Sequence, residues 1–122
     1  MLATQIEWIL LITGLATAGA VAFSVVPVPV MRLVFGQSPS DALSLLIIRH
    51  WGLLVGLVGV LLIYAAHHAE VRAATLTVAI VEKVAIVLGL LTSPFRRRRA
   101  VLVMALADAG MAAVYLIYVI GG

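Results

Sequence analysis

The sequence predicts an all-α protein, an integral membrane bundle of four helices. Three observations carry that prediction. Four runs along the chain hold about 20 or more predominantly apolar residues, the length that crosses a hydrocarbon core of roughly 30 Å. Charged residues make up 11% of the 122 residues, against roughly 25% in soluble domains. A soluble fold of this size would lack the polar residues to cover its surface, and the mean hydropathy of +1.25 points the same way. The runs are also too long for strands and show none of the alternation of a transmembrane barrel, while their Ala and Leu content favours helix.

The first span is expected at about 6–26. Glu7 stands ahead of its apolar run and no Lys or Arg precedes it. A cleavable signal would begin with a basic region, so a retained helix is expected. It should end at "VVPVPV", where Pro27 and Pro29 break helical hydrogen bonding. Met31 to Phe35 then forms a short apolar piece interrupted by Arg32, suited to lie at an interface with its guanidinium toward headgroups. In "SPSD", Ser38 is the expected N-cap, Pro39 the first helical residue and Asp41 an acid of the first turn. The second span covers about 42–66. The third covers about 73–92 and stops ahead of Pro94. The fourth, about 100–120, follows "FRRRRA". Residues 1–122 thus make a single transmembrane domain.

Orientation follows from the Lys/Arg bias of short loops. Arg96, Arg97, Arg98 and Arg99 join spans three and four on the side that also holds Arg32 and Arg49. The other side holds Arg72 and both termini. The arginine loop is therefore expected in the cytoplasm and the termini outside. The same four arginines form a membrane-surface patch that would meet anionic lipid. Most of the net charge of +3 sits in this one run, which excludes a nucleic-acid partner. The chain has no cysteine, which excludes disulfides, thiolate catalysis and Cys-ligated metal centres.

"AIVEKVAIVLGLL" places Glu82 and Lys83 inside span three. At a rise of about 1.5 Å per residue, Arg49 lies about 12 Å beyond Asp41, Lys83 about 16 Å from Pro94 and Asp108 about 13 Å from Arg99. All four charges then share one depth, in the inner half to the middle of the membrane. Each would cost about 2.5–3.5 kcal/mol there if unpaired. Glu82 and Lys83 project about 100° apart, so each should find a different helix. The expected pairs are Lys83 with Asp108 and Glu82 with Arg49, a net-neutral network that His50 and Tyr115 could join. Gly52, Gly56 and Gly59 in span two form a GxxxG-type contact surface, within the bundle or toward another subunit. Thr13, Thr17 and Ser24 recur at helical spacing, and their hydroxyls can satisfy their own backbone. Such a layer is either a structural clamp or a proton, ion or ligand site.

No catalytic motif is present, and the sequence leans away from an enzyme. His50 and His67 are 17 residues apart, about 25 Å along one helix, so no shared metal site is expected. His67 and His68 fit a solvated interface. His50, Trp51 and Tyr115 could line a pocket for quinone or lipid, the one cofactor class the sequence leaves open.

"RHWGLLVGLVGVLLIYAA" opening span two, "EK" inside span three and "ADAG" followed by Tyr115 in span four resemble small four-helix bacterial membrane proteins of the DoxX-like kind. The resemblance implies an inner-membrane protein serving as an accessory or scaffold subunit of a larger membrane complex, as in some quinone-linked oxidoreductases. It carries over no cofactor-binding residue. Two other functions are expected to compete with that one. The first is a proton-coupled small-molecule transporter using Glu82 or Asp108, and the second a lipid- or quinone-binding membrane protein. The partners expected are the lipid bilayer and either a larger complex or further copies of the chain.

Overall fold

A computed structural model describes residues 2–121, and among them every regular element is helical. Helix α1 (Leu2–Ala18), a 3-10 turn (Gly19–Val21) and α2 (Ala22–Val25) form the first long apolar rod. Val26 then leaves helical geometry, at φ −131° and ψ 69°, because the residue ahead of a proline is pushed out of the α region. The prolines end one helix and begin another: α3 (Pro27–Phe35) starts on Pro27. First-turn residues need no N–H of their own, so Pro27 and Pro29 cost this helix nothing. Met31 to Phe35 is therefore the second half of a nine-residue helix. Gly36 ends it in the left-handed region, at φ 81°, with its N–H bonded to Arg32 O at 2.9 Å, a favourable place for glycine.

The start of α4 (Ala42–His67) differs from the expected one. Asp41, not Ser38, is the N-cap: its Oδ2 accepts the Ser44 N–H at 2.8 Å. The ionised acceptor next to the apolar run caps best, because it meets both the free amides and the positive helix end. Hydrogen bonds from Ser44 hold the Asp41 carboxyl below its ordinary 3.8. Ser38 instead bonds Pro39 O within the loop, at 3.2 Å. Helices α5 (Arg72–Leu91) and α6 (Arg99–Gly121) follow the expected spans closely. Four segments, Gln5–Val25, Ala42–His67, Ala69–Leu91 and Arg99–Gly121, are long and apolar enough to cross a membrane.

The rods pair as α1 with α4 and α5 with α6. The first pair is drawn together by glycines. A Cβ at Gly59 would overlap the Ala18 backbone nitrogen and lie 2.6 Å from Gly14 O, and one at Gly52 would lie 2.8 Å from Ser24 N. Gly52, Gly56 and Gly59 thus face the first rod of the same chain.

Broken helix ends leave carbonyls without partners, and arginines fill them. Arg72 donates to Ala65 O and Ala66 O in the last turn of α4, both at 2.7 Å. Arg98 donates to Val34 O near the end of α3, at 3.1 Å. The core falls into two blocks. At one end Ile6, Leu10, Leu62, Leu76, Ala79 and Tyr115 are buried. At the other, Leu90, Val101 and Ala105 pack with Phe35 and Phe95, whose rings meet edge to face at 5.4 Å. Polar side chains occupy the space between the blocks.

Candidate functional site

Lys83 is buried because of its register. Leu76, Ala79 and Leu90 are the buried residues of the same α5 stripe, at three- to four-residue spacing, so Lys83 is carried into the interior with them. Asp108 sits likewise on α6 among buried Ala105, Ala112 and Tyr115. The Lys83 ammonium donates to Asp108 Oδ1 at 3.1 Å and to Thr17 Oγ1 on α1 at 2.9 Å. The side chains of Lys83 and Asp108 are 2% and 17% exposed, so the lysine is enclosed while the carboxylate keeps an open side. Having accepted from Lys83, the Thr17 hydroxyl turns its own proton to Thr13 O, at 2.8 Å. One turn further along α1, Thr13 Oγ1 accepts from Tyr115 OH at 2.6 Å and donates to Ile9 O at 2.6 Å. Tyr115 thus braces α1 against α6 beside the charged layer.

Glu82 does not pair with Arg49. The break at Val26 leaves Ser24 O without a helical partner, and the Arg49 guanidinium donates to that carbonyl at 3.2 Å. Arg49 is therefore a third helix-end arginine, alongside Arg72 and Arg98. Glu82 stays near its neighbour: Oε1 lies 3.5 Å from Lys83 Nζ. The long lysine stem spans the angle between adjacent residues that the expected pairing treated as a barrier. That contact is an ion pair without hydrogen-bond geometry, and Glu82 Oε1 is a buried oxygen without a hydrogen-bond partner among the described residues. The layer carries one positive and two negative groups. It is not the neutral set of four expected from the sequence.

His50 is exposed and takes no part in the layer. Its neighbour Trp51 does: its ring meets Phe23 edge to face, with centroids 5.0 Å apart. These two rings wall a cavity of about 300 Å³ between the rods, to which Thr17, Glu82, Lys83 and Asp108 contribute the polar side. A groove of about 350 Å³ between α4 and α5 shares Trp51 and Glu82 with it. Glu82 thus stands where the inner cavity meets the outside of the bundle. Arg96, Arg97, Arg98 and Arg99 are all exposed at the α5–α6 connection, and Arg98 also reaches Val34 O of α3. Among the described residues no group of three metal-ligating side chains converges.

Sequence reasoning missed Thr17 as the second acceptor of the ammonium and Phe23 as a cavity wall. The threonine left a signal, since it recurs with Thr13 on one face of the first span. Phe23 left none, because its partner lies on another helix. Comparison of the chain with family models, with curated proteins and with solved structures finds no match to any of the three.

Proposed function

We propose that this chain is a multi-pass protein of the bacterial inner membrane that takes a small molecule into the cavity between its four rods and exchanges a proton at Glu82. One observation carries the reading: the charged layer lines a cavity of about 300 Å³ instead of being packed shut as a clamp. Cavities of this kind, mostly apolar with a few converging polar groups, are the usual form of ligand sites, and ionisable groups at membrane depth most often serve binding or transport. Between the two carboxylates, Asp108 is held by a hydrogen bond to Lys83, whereas Glu82 Oε1 has none. Glu82 is thus the group able to exchange partners.

A scaffold or accessory subunit is supported less well. A partner could dock on a face of small residues, but the stripe of Gly52, Gly56 and Gly59 packs against the first rod of the same chain. The DoxX-like layout supports membrane residence and a four-helix bundle without choosing among functions. The orientation that goes with the proposal puts Arg96–Arg99 in the cytoplasm and both termini outside.

The natural chain lacks cysteine, so introduced thiols report unambiguously. Only a hydrated thiol forms the thiolate that reacts with N-ethylmaleimide. In lipid vesicles, Ala20→Cys and Ile86→Cys on the cavity wall should label. Ala79→Cys in the sealed core and Leu106→Cys, 71% exposed on the outside of α6, should not. Absence of labelling at both cavity positions refutes the open site, and rapid labelling of Leu106→Cys refutes its placement against lipid.

A further inference from the structure

The charge balance of the layer and the walls of its cavity specify what kind of molecule fits, and the argument rests on the ligand-site reading above. Lys83 is the chain's only lysine, and its ammonium is already committed to Thr17 and Asp108. The other ionisable groups around Glu82 are few. Asp108 and Tyr115 face it from α6, α1 presents the hydroxyls of Thr13 and Thr17, which do not ionise, and Arg49 of α4 is turned to Ser24 O. Glu82 shares the Lys83 ammonium from 3.5 Å, so with both carboxylates ionised the layer carries one net negative charge in a region where charge is costly. The Glu82 side chain, 16% exposed, lines both the cavity and the groove. Phe23 and Trp51 line the same cavity, rings that accept apolar surface and whose faces attract cations.

We infer that the cavity binds a monovalent organic cation, a protonated amine bearing one ring-sized apolar group, with its N–H donors on Glu82 and its apolar body against Phe23 and Trp51. In the absence of the amine a proton on the same carboxylate restores the balance. Uptake of the cation then releases that proton, and the charge of the layer is unchanged by the exchange. A neutral quinone or a lipid tail would fill the apolar walls but would leave the proton on Glu82 and make no use of its charge.

The test uses the full chain in lipid nanodiscs with Trp8, an exposed residue of α1, changed to Phe. Trp51 is then the only tryptophan and reports occupancy by its fluorescence. Phenethylammonium is the probe, and 2-phenylethanol, of nearly the same shape, is its neutral counterpart. The ammonium should bind about tenfold or more tightly than the alcohol, the scale of one charge-assisted hydrogen bond. Its affinity should fall as pH is lowered and protons compete. Glu82→Gln should abolish both the preference and the pH dependence. Equal binding of alcohol and ammonium, or no binding of either, overturns the inference on the Glu82-containing chain itself, whatever the stability of the Gln variant. If Ala20→Cys and Ile86→Cys label but the ammonium gains nothing, the cation assignment alone falls. If neither position labels, the cavity reading falls with it.

Discussion

Replacing Lys83 with Met removes the ammonium and keeps the length of the stem. Two hydrogen bonds are lost, at 2.9 Å to Thr17 and 3.1 Å to Asp108, and Glu82 Oε1 loses the only cation within 3.5 Å. Hydrogen bonds to charged groups are each worth about 1.5–3 kcal/mol, and stranding one partner of a buried pair costs about 3–5 kcal/mol. Two effects reduce that figure here. Asp108 and Glu82 keep 17% and 16% of their side chains exposed, and under the proposed open site water reaches them through the cavity. Polar contacts inside membranes also measure below their ideal strength, because the unfolded chain finds other partners. The expected loss for Lys83→Met is therefore about 2–3 kcal/mol, read from SDS-driven unfolding in mixed micelles followed by tryptophan fluorescence. Asp108→Asn alone should also destabilise. Combined with Lys83→Met it should cost less than the two separate losses together, with a coupling of about 1–2 kcal/mol. Independent, additive losses would refute the pair as the organising contact of the layer.

Three further outcomes follow from particular contacts. Gly59→Ala forces a methyl into the Ala18 backbone and should destabilise by about 1–3 kcal/mol, whereas Gly89→Ala meets nothing within 4 Å and should stabilise by about 0.5–1 kcal/mol; the same unfolding assay should return opposite signs. Asp41 has a lowered folded-state pKa through its bonds from Ser44, so its contribution is complete above the ordinary carboxylate range and is lost as pH falls through the lowered value. Hydrogen exchange at the Ser44 amide should therefore accelerate only below the ordinary carboxylate range, and Asp41→Asn, which caps without titrating, should remove the pH dependence. Arg72→Met uncovers the carbonyls of Ala65 and Ala66 and should fray the α4–α5 connection, with faster exchange across residues 65–71 and a loss of about 1–3 kcal/mol.

The long helices were legible because length and apolar content decide them, and no distant contact competes with either. The depth shared by Lys83 and Asp108 was legible for a related reason: helical rise is fixed, so position along a span gives height. Lateral partners were harder. Arg49 and Glu82 stand at compatible heights, but the choice between a carboxylate and a carbonyl depended on Val26 breaking the first rod and leaving Ser24 O free. "PVPV" carried the break without showing that the prolines would open a new helix in place of a loop. The cap moved from Ser38 to Asp41 because several candidates stood in a row and only the spatial reach to Ser44 N selected one. The GxxxG stripe marked a close approach from the start. Whether it met another copy or the first rod depended on the Ala18–Gly59 contact, which no single helix reveals.

The decisive question is whether water reaches the charged layer. With a single lysine in the chain, ε-15N labelling gives one ammonium signal, that of Lys83. Water-edited solid-state NMR on the protein in lipid bilayers measures how fast water protons reach it. Lys83 is 1% exposed yet lines the cavity. The open-site account predicts transfer to its nitrogen far faster than to the backbone amide of Ala79, one turn away in the sealed core. Transfer to Lys83 as slow as to Ala79 would show a dry clamp and contradict the proposed function.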